Sequence, residues 1–84
     1  MKFGEAIEKA KEGERISRAG WNGKEQFVEL ATNISYVRAD GTVVNCEHDA
    51  IGNKALAFVG TSGVQIGWLA SQADMLADDW EVKE

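Results

Sequence analysis

Proline is absent from this 84-residue chain, and cysteine and histidine occur once each. Without proline, and with no internal repeat or low-complexity run, the sequence offers no proline-rich linker and no candidate boundary, so residues 1–84 read as one domain. The single Cys46 excludes an intramolecular disulfide framework and suits a reducing compartment. Cys46, His48 and Asp49 stand together in "CEHD", but zinc draws on four ligands, commonly from paired clusters, and no second Cys or His exists. Cys46 therefore reads as a small buried or edge residue and His48 as a loop histidine. Neither a metal nor any other cofactor is expected.

Long apolar runs are missing too. No segment approaches the roughly 20 apolar residues of a membrane span, and "MKFGEAIEKAKEGE" lacks the uninterrupted apolar core of a signal peptide. The expectation is an intracellular, soluble protein without a membrane partner. Positive charge is scarce: nine Lys and Arg face 14 Asp and Glu, a net charge of −5. That balance argues against DNA or RNA, whose binding relies on basic side chains neutralising phosphates. The deficit is uneven, since residues 1–24 hold six basic residues against four acids and residues 74–84 hold five acids against one lysine. An anionic small molecule would meet a positive edge near "WNGK". Most other charges read as solvated surface.

Catalytic constellations are equally thin. Cys46 and His48 would share one face of a strand, but nothing supplies an oxyanion hole or an orienting third group. Asp78 and Asp79 are adjacent acids at a helix end, a position that usually faces solvent. No phosphate-cradling motif of the dinucleotide or P-loop type occurs, and "GTSG" (60–63) reads as a hairpin turn. An enzyme is not expected.

What is present is a run of short, well-punctuated elements. Phe3, Ala6, Ile7 and Ala10 recur at helical spacing, predicting an amphipathic helix over 2–12 that Gly13 ends. Ile16 marks a strand in "ERISRAGW", and "QFVELA" (26–31) a second. Residues 34–38 and 42–46, rich in β-branched residues, flank "ADG" as a hairpin. "ALAFVGTSGVQIGW" predicts another around "GTSG", with "EHDAIGNK" as the loop between the two. Ser71 is a natural helix N-cap with Asp74 three residues on, so "QADMLADD" (72–79) reads as a short helix and "WEVKE" as a closing strand. The order predicts an α+β domain: a mainly antiparallel sheet, an N-terminal amphipathic helix and a short C-terminal helix.

Three tryptophans complete the inventory. Trp80, four residues after Leu76, is most simply a core anchor. Trp68 suits a core or a pocket wall equally. Trp21 is flanked by Gly20, Asn22, Gly23 and Lys24, a loop setting that suggests an exposed ring with little part in the core. An indole beside an amide and an ammonium suits a purine carrying phosphates: the ring stacks, the amide hydrogen-bonds and the cation offsets charge. Asp74 could accept hydrogen bonds from ribose hydroxyls, as acids do in dinucleotide sites. The two indoles near the chain ends are expected to converge, across a protomer boundary.

The opening "MKFGEAIEKAKEGERISRAGWNGK" and the closing "GWLASQADMLADDWEV" resemble the Thoeris anti-defense 2 family of phage and prophage proteins. Residues 25–65 match it only in their strand-and-turn character, and Gly67 stands where that family commonly has proline. The resemblance implies a non-enzymatic sponge that binds cyclic ADP-ribose-type immune signals, notably glycocyclic forms, without degrading them. Some relatives also bind cyclic oligonucleotide signals at separate sites. It further implies a homo-oligomer, a tetramer built as a dimer of dimers with pockets between subunits, working in the cytoplasm of the infected bacterial host. Carried onto this chain, the implied ligand-binding set is Trp21, Asn22, Lys24, Trp68, Ser71, Gln72 and Asp74. The first rival function is an interaction module docking through its tryptophan surface; the second is an enzyme degrading the same signals.

Overall fold

The computed structural model describes residues 1–21, 25–45 and 53–84. Helix α1 (Phe3–Lys11) follows the 3.6-residue stripe. Ala6 and Ala10 are fully buried, and Phe3 and Ile7 pack beside them. Its ends agree with its dipole: Glu5 lies in the first turn, where it accepts the Lys2 N–H at 3.1 Å, and Lys9 and Lys11 lie in the last. Gly13, at φ +94°, provides the left-handed turn that stops it.

Six further segments form strands β1 (Ile16–Arg18), β2 (Phe27–Thr32), β3 (Ser35–Val37), β4 (Val43–Asn45), β5 (Lys54–Gly60) and β6 (Gly63–Ile66). Helix α2 (Gln72–Leu76) and strand β7 (Trp80–Val82) complete the chain. Five strands make one antiparallel sheet in the order β6-β5-β2-β1-β7, so the fold is α+β as the sequence predicts. Strand alternation assigns its two faces. Ile16, Val28, Leu56, Phe58 and Trp80 share the inner face and pack with α1 into the core. Phe27, Ala31, Ala55, Ala57, Val59, Val64 and Ile66 fall on the outer face by the same register.

One expected element is refined and one is corrected. The expected hairpin forms between β3 and β4, with Asp40 accepting the Thr42 N–H at 2.9 Å in its turn, and among the described residues these two strands pair with each other as a separate two-stranded sheet. Alternation fixed the strands and said nothing about which edge they join. The second helix stops at Leu76 rather than 79, because Ala77 is extended (φ −75°, ψ 149°). That early exit releases Asp79 from the helix and lets its carboxylate reach Arg18 and Gly20. Cys46, His48 and Asp49 lie outside the described residues.

Candidate functional site

Four segments meet at one end of the inner face: the loop after β1, the bend after β6, the start of α2, and β7. Each delivers its tryptophan or its acid by a distinct backbone device. After β1, Trp21 N–H donates to the Arg18 carbonyl at 3.1 Å, closing a turn. Asp79 then pins that turn from outside, accepting the Gly20 N–H at 2.9 Å through its carboxylate and the Ala19 N–H at 3.0 Å through its carbonyl. After β6, both Gly67 and Trp68 donate their N–H groups to the Leu56 carbonyl at 2.9 Å. Gly67 has φ +87°, a conformation closed to proline, whose ring fixes φ near −65° and removes the donor. Gly67 is therefore integral to how Trp68 is aimed here.

The three indoles form one cluster. Trp21 lies edge-on to Trp80 at 5.4 Å, to Phe58 at 5.6 Å and to Trp68 at 6.2 Å, and Trp68 meets Trp80 at 6.2 Å. Phe3 closes the far side of Trp80 at 5.5 Å. Edge-to-face geometry is the favoured arrangement for such rings. Trp80 is 2% exposed, the core anchor that its sequence setting suggests. Trp21 and Trp68 are half-buried. The expectation that Trp21 has little part in the core is overturned, for its loop curls back and lays the ring on three aromatic neighbours. The indoles do converge, and they do so within one chain.

Trp21 and Trp68 do not form a slot. A purine held between two parallel rings needs centroids about 7 Å apart, twice the contact distance of roughly 3.5 Å. At 6.2 Å and an interplanar angle of 75° they meet edge to face, a bent wall of which one ring at a time offers its face to a flat ligand.

Beneath the wall lies an ionic bracket. Arg18 Nε is 2.8 Å from Asp79 Oδ1, and Arg18 Nη1 is 2.9 Å from Asp74 Oδ1. Asp74 Oδ2 accepts the Ser71 N–H at 3.1 Å, Ser71 Oγ accepts the Asp74 N–H at 3.1 Å, and the Asp74 carbonyl accepts the Trp80 indole N–H at 2.8 Å. Partial burial works against charge on Asp74, but the Arg18 guanidinium, the Ser71 cap and the Trp21 indole N–H outweigh it and hold the carboxyl below its usual range. Arg18 does the same to Asp79, with the Gly20 amide adding to it against a smaller desolvation cost. The two acids in turn raise the Arg18 pKa. Arg18 was not among the residues expected at this site. Its signal in the sequence was a cation three positions before a tryptophan, indistinguishable there from any solvated arginine.

The structure thus brings together Trp21, Trp68, Ser71 and Asp74, with Gln72 exposed on the first turn of α2. Asn22 and Lys24 lie outside the described residues. A recess of about 180 Å³ beside Trp21 is lined by Ser17, Arg18, Gln26, Glu81 and Lys83, among others. A second, of about 320 Å³, sits at the β5–β6 turn, away from the acids. Neither includes Trp68, Ser71, Gln72 or Asp74 in its lining. Among the described residues, no helix is long and apolar enough to cross a membrane.

Comparison with known proteins gives a consistent result. The profile of the Thoeris anti-defense 2-like domain matches residues 1–83. The chain is also 36% identical, over 87 aligned positions, to Thoeris anti-defense 2 of Bacillus phage SP01, with 98% of this chain and 93% of that protein covered.

Proposed function

The chain belongs to the Thoeris anti-defense 2-like family, a family of anti-defence proteins, and from that premise we propose that it suppresses Thoeris immunity as a sponge. It binds cyclic ADP-ribose-type signals, glycocyclic forms foremost, and holds them intact in the cytoplasm of the infected host. The observation that carries this is the Trp21–Trp68 wall, two half-buried indoles from opposite ends of the sequence joined at 6.2 Å. Adenine stacks on that wall. Asn22 and Lys24 meet polar and phosphate groups, and Gln72 reaches the ribose. Ser71 and Asp74 serve the ligand from a cap and an ion pair that already occupy them, so their share of the contact is the smaller. Sequestration requires tight binding of the ground state, whereas turnover would require preference for a transition state.

A homo-oligomer, a tetramer assembled from dimers, completes the pocket. The 180 Å³ recess beside Trp21 is smaller than the roughly 300–1,000 Å³ typical of small-molecule sites and leaves Trp68 and Gln72 outside it, which favours an enclosing wall contributed by a second copy. The outer sheet face supports association as well, since Val64 and Ile66 are 61% and 52% exposed on it.

The test is to incubate the protein with glycocyclic ADP-ribose, remove unbound ligand, denature by heat and weigh what is released. Recovery of the intact molecule is expected. A changed mass would identify a degrading enzyme, and no retention at all would favour the protein-docking module.

A further inference from the structure

Stacking accounts for the indoles but leaves Arg18 unexplained. Its side chain, 21% exposed, is held at two of its three guanidinium nitrogens by acids 56 and 61 positions away in sequence. Surface ion pairs are worth little singly, since ordering two long side chains offsets the attraction. A fork that binds two carboxylates at 2.8 and 2.9 Å is a different object, because arginine's planar guanidinium fixes direction as well as charge.

Each partner acid has a second task. Asp79 accepts the N–H of Gly20, the residue immediately before Trp21. Asp74 caps α2 and, through its carbonyl, takes the Trp80 indole N–H. The Arg18 carbonyl itself accepts the Trp21 N–H. Trp21 and Trp80 are therefore each tied by one short bonded path to Arg18, and Trp68 rests on both rings. The pocket lining adds a further point: Arg18 borders the recess beside Trp21 while its Nε and Nη1 are spent on the acids.

We propose that Arg18 is the positioning residue of the binding surface: by clamping Asp79 and Asp74 together it locks the Trp21 loop to the start of α2 and fixes the angle of the Trp21–Trp68 wall. The inference rests on the sponge reading for its functional meaning, and on geometry alone for its structural meaning. A binding surface set by side chains needs their supporting contacts in register, because a site left about 1 Å too loose loses its preorganised geometry. Lysine cannot replace the clamp, as a point charge satisfies one acid without orienting the other.

The experiment compares full-length wild type with Arg18→Lys and Asp79→Asn, using glycocyclic ADP-ribose as the probe. Three quantities are read: the far-UV circular dichroism, the near-UV dichroism of the coupled indoles well below the melting temperature, and the probe affinity. Both variants should keep the far-UV spectrum, lose much of the indole signature, and bind about tenfold more weakly, a loss of about 1.4 kcal/mol. Asp79→Asn keeps its shape and its link to Gly20, so it remains informative should Arg18→Lys fail to fold. An unchanged indole signature in both variants overturns the positioning role, whatever the affinities. Weakened binding with that signature intact would make Arg18 a direct ligand contact instead. If wild type does not bind the probe, the sponge reading falls while the indole spectra still judge the clamp.

Discussion

Replacing Trp80 and Trp21 in turn by alanine separates a core ring from a ring that is half in the core. Trp80 is 2% exposed, contacts Phe3, Trp21 and Trp68, and donates its indole N–H to the Asp74 carbonyl at 2.8 Å. Large-to-small aromatic changes in such settings cost roughly 3–5 kcal/mol. Two edge-to-face pairs, each about 0.5–1.5 kcal/mol beyond burial, and a hydrogen bond of about 1 kcal/mol go with the ring, which points to the upper part of that range. Trp21 also meets three rings but keeps part of its surface in water. Its removal should cost roughly 1.5–3 kcal/mol, between the core value and the 0.5 kcal/mol of an ordinary surface change. A domain of this length has only about 4–12 kcal/mol in total, so Trp80→Ala leaves little, and Trp80→Phe is the graded companion. Urea unfolding followed by far-UV circular dichroism is the assay, since each substitution removes a fluorophore. Protein concentration is held fixed, because association would add to apparent stability. A Trp21→Ala variant within about 0.5 kcal/mol of wild type would refute the packing argument. Equal losses at Trp21 and Trp80 would refute the gradation between them.

Two further outcomes are expected. Asp74 and Asp79 are both held below their ordinary pKa of 3.8, so the stability they contribute is complete above about pH 5 and is lost as pH falls through 3.8 toward the lower folded values. Melting temperatures from pH 7 to pH 3 should show that loss in wild type and a smaller one in Asp79→Asn; equal losses would mean that the ion pair with Arg18 is not what acid breaks. On the outer sheet face, the double change Val64→Lys and Ile66→Lys should shift sedimentation toward a smaller species while leaving the far-UV spectrum intact. An unchanged sedimentation coefficient would remove that face as the contact between copies.

Much of the fold is legible in the sequence. Helical spacing of Phe3, Ala6, Ile7 and Ala10 gave α1, and Ser71 with Asp74 gave the start of α2, because these signals act within a few residues. The end of α2 was not legible. Nothing local in "ADD" stops a helix; Asp79 leaves it because its partners, Arg18 and Gly20, sit some sixty positions upstream. Trp21 misled for the same reason: glycine and asparagine neighbours say turn, and a turn can point its ring either way.

The sequence by itself determined which segments are helix or strand, where most of them begin, and, through its matching ends, the family. Periodicity, capping and turn chemistry are short-range forces that the local residues carry with them. Only the tertiary structure decided that three tryptophans form one cluster, that Arg18 bridges two acids beneath it, and that the β3–β4 hairpin stands apart from the main sheet. Those outcomes depend on which distant groups meet, and the pairing of groups that far apart is fixed by burial and by how the strands order in the sheet.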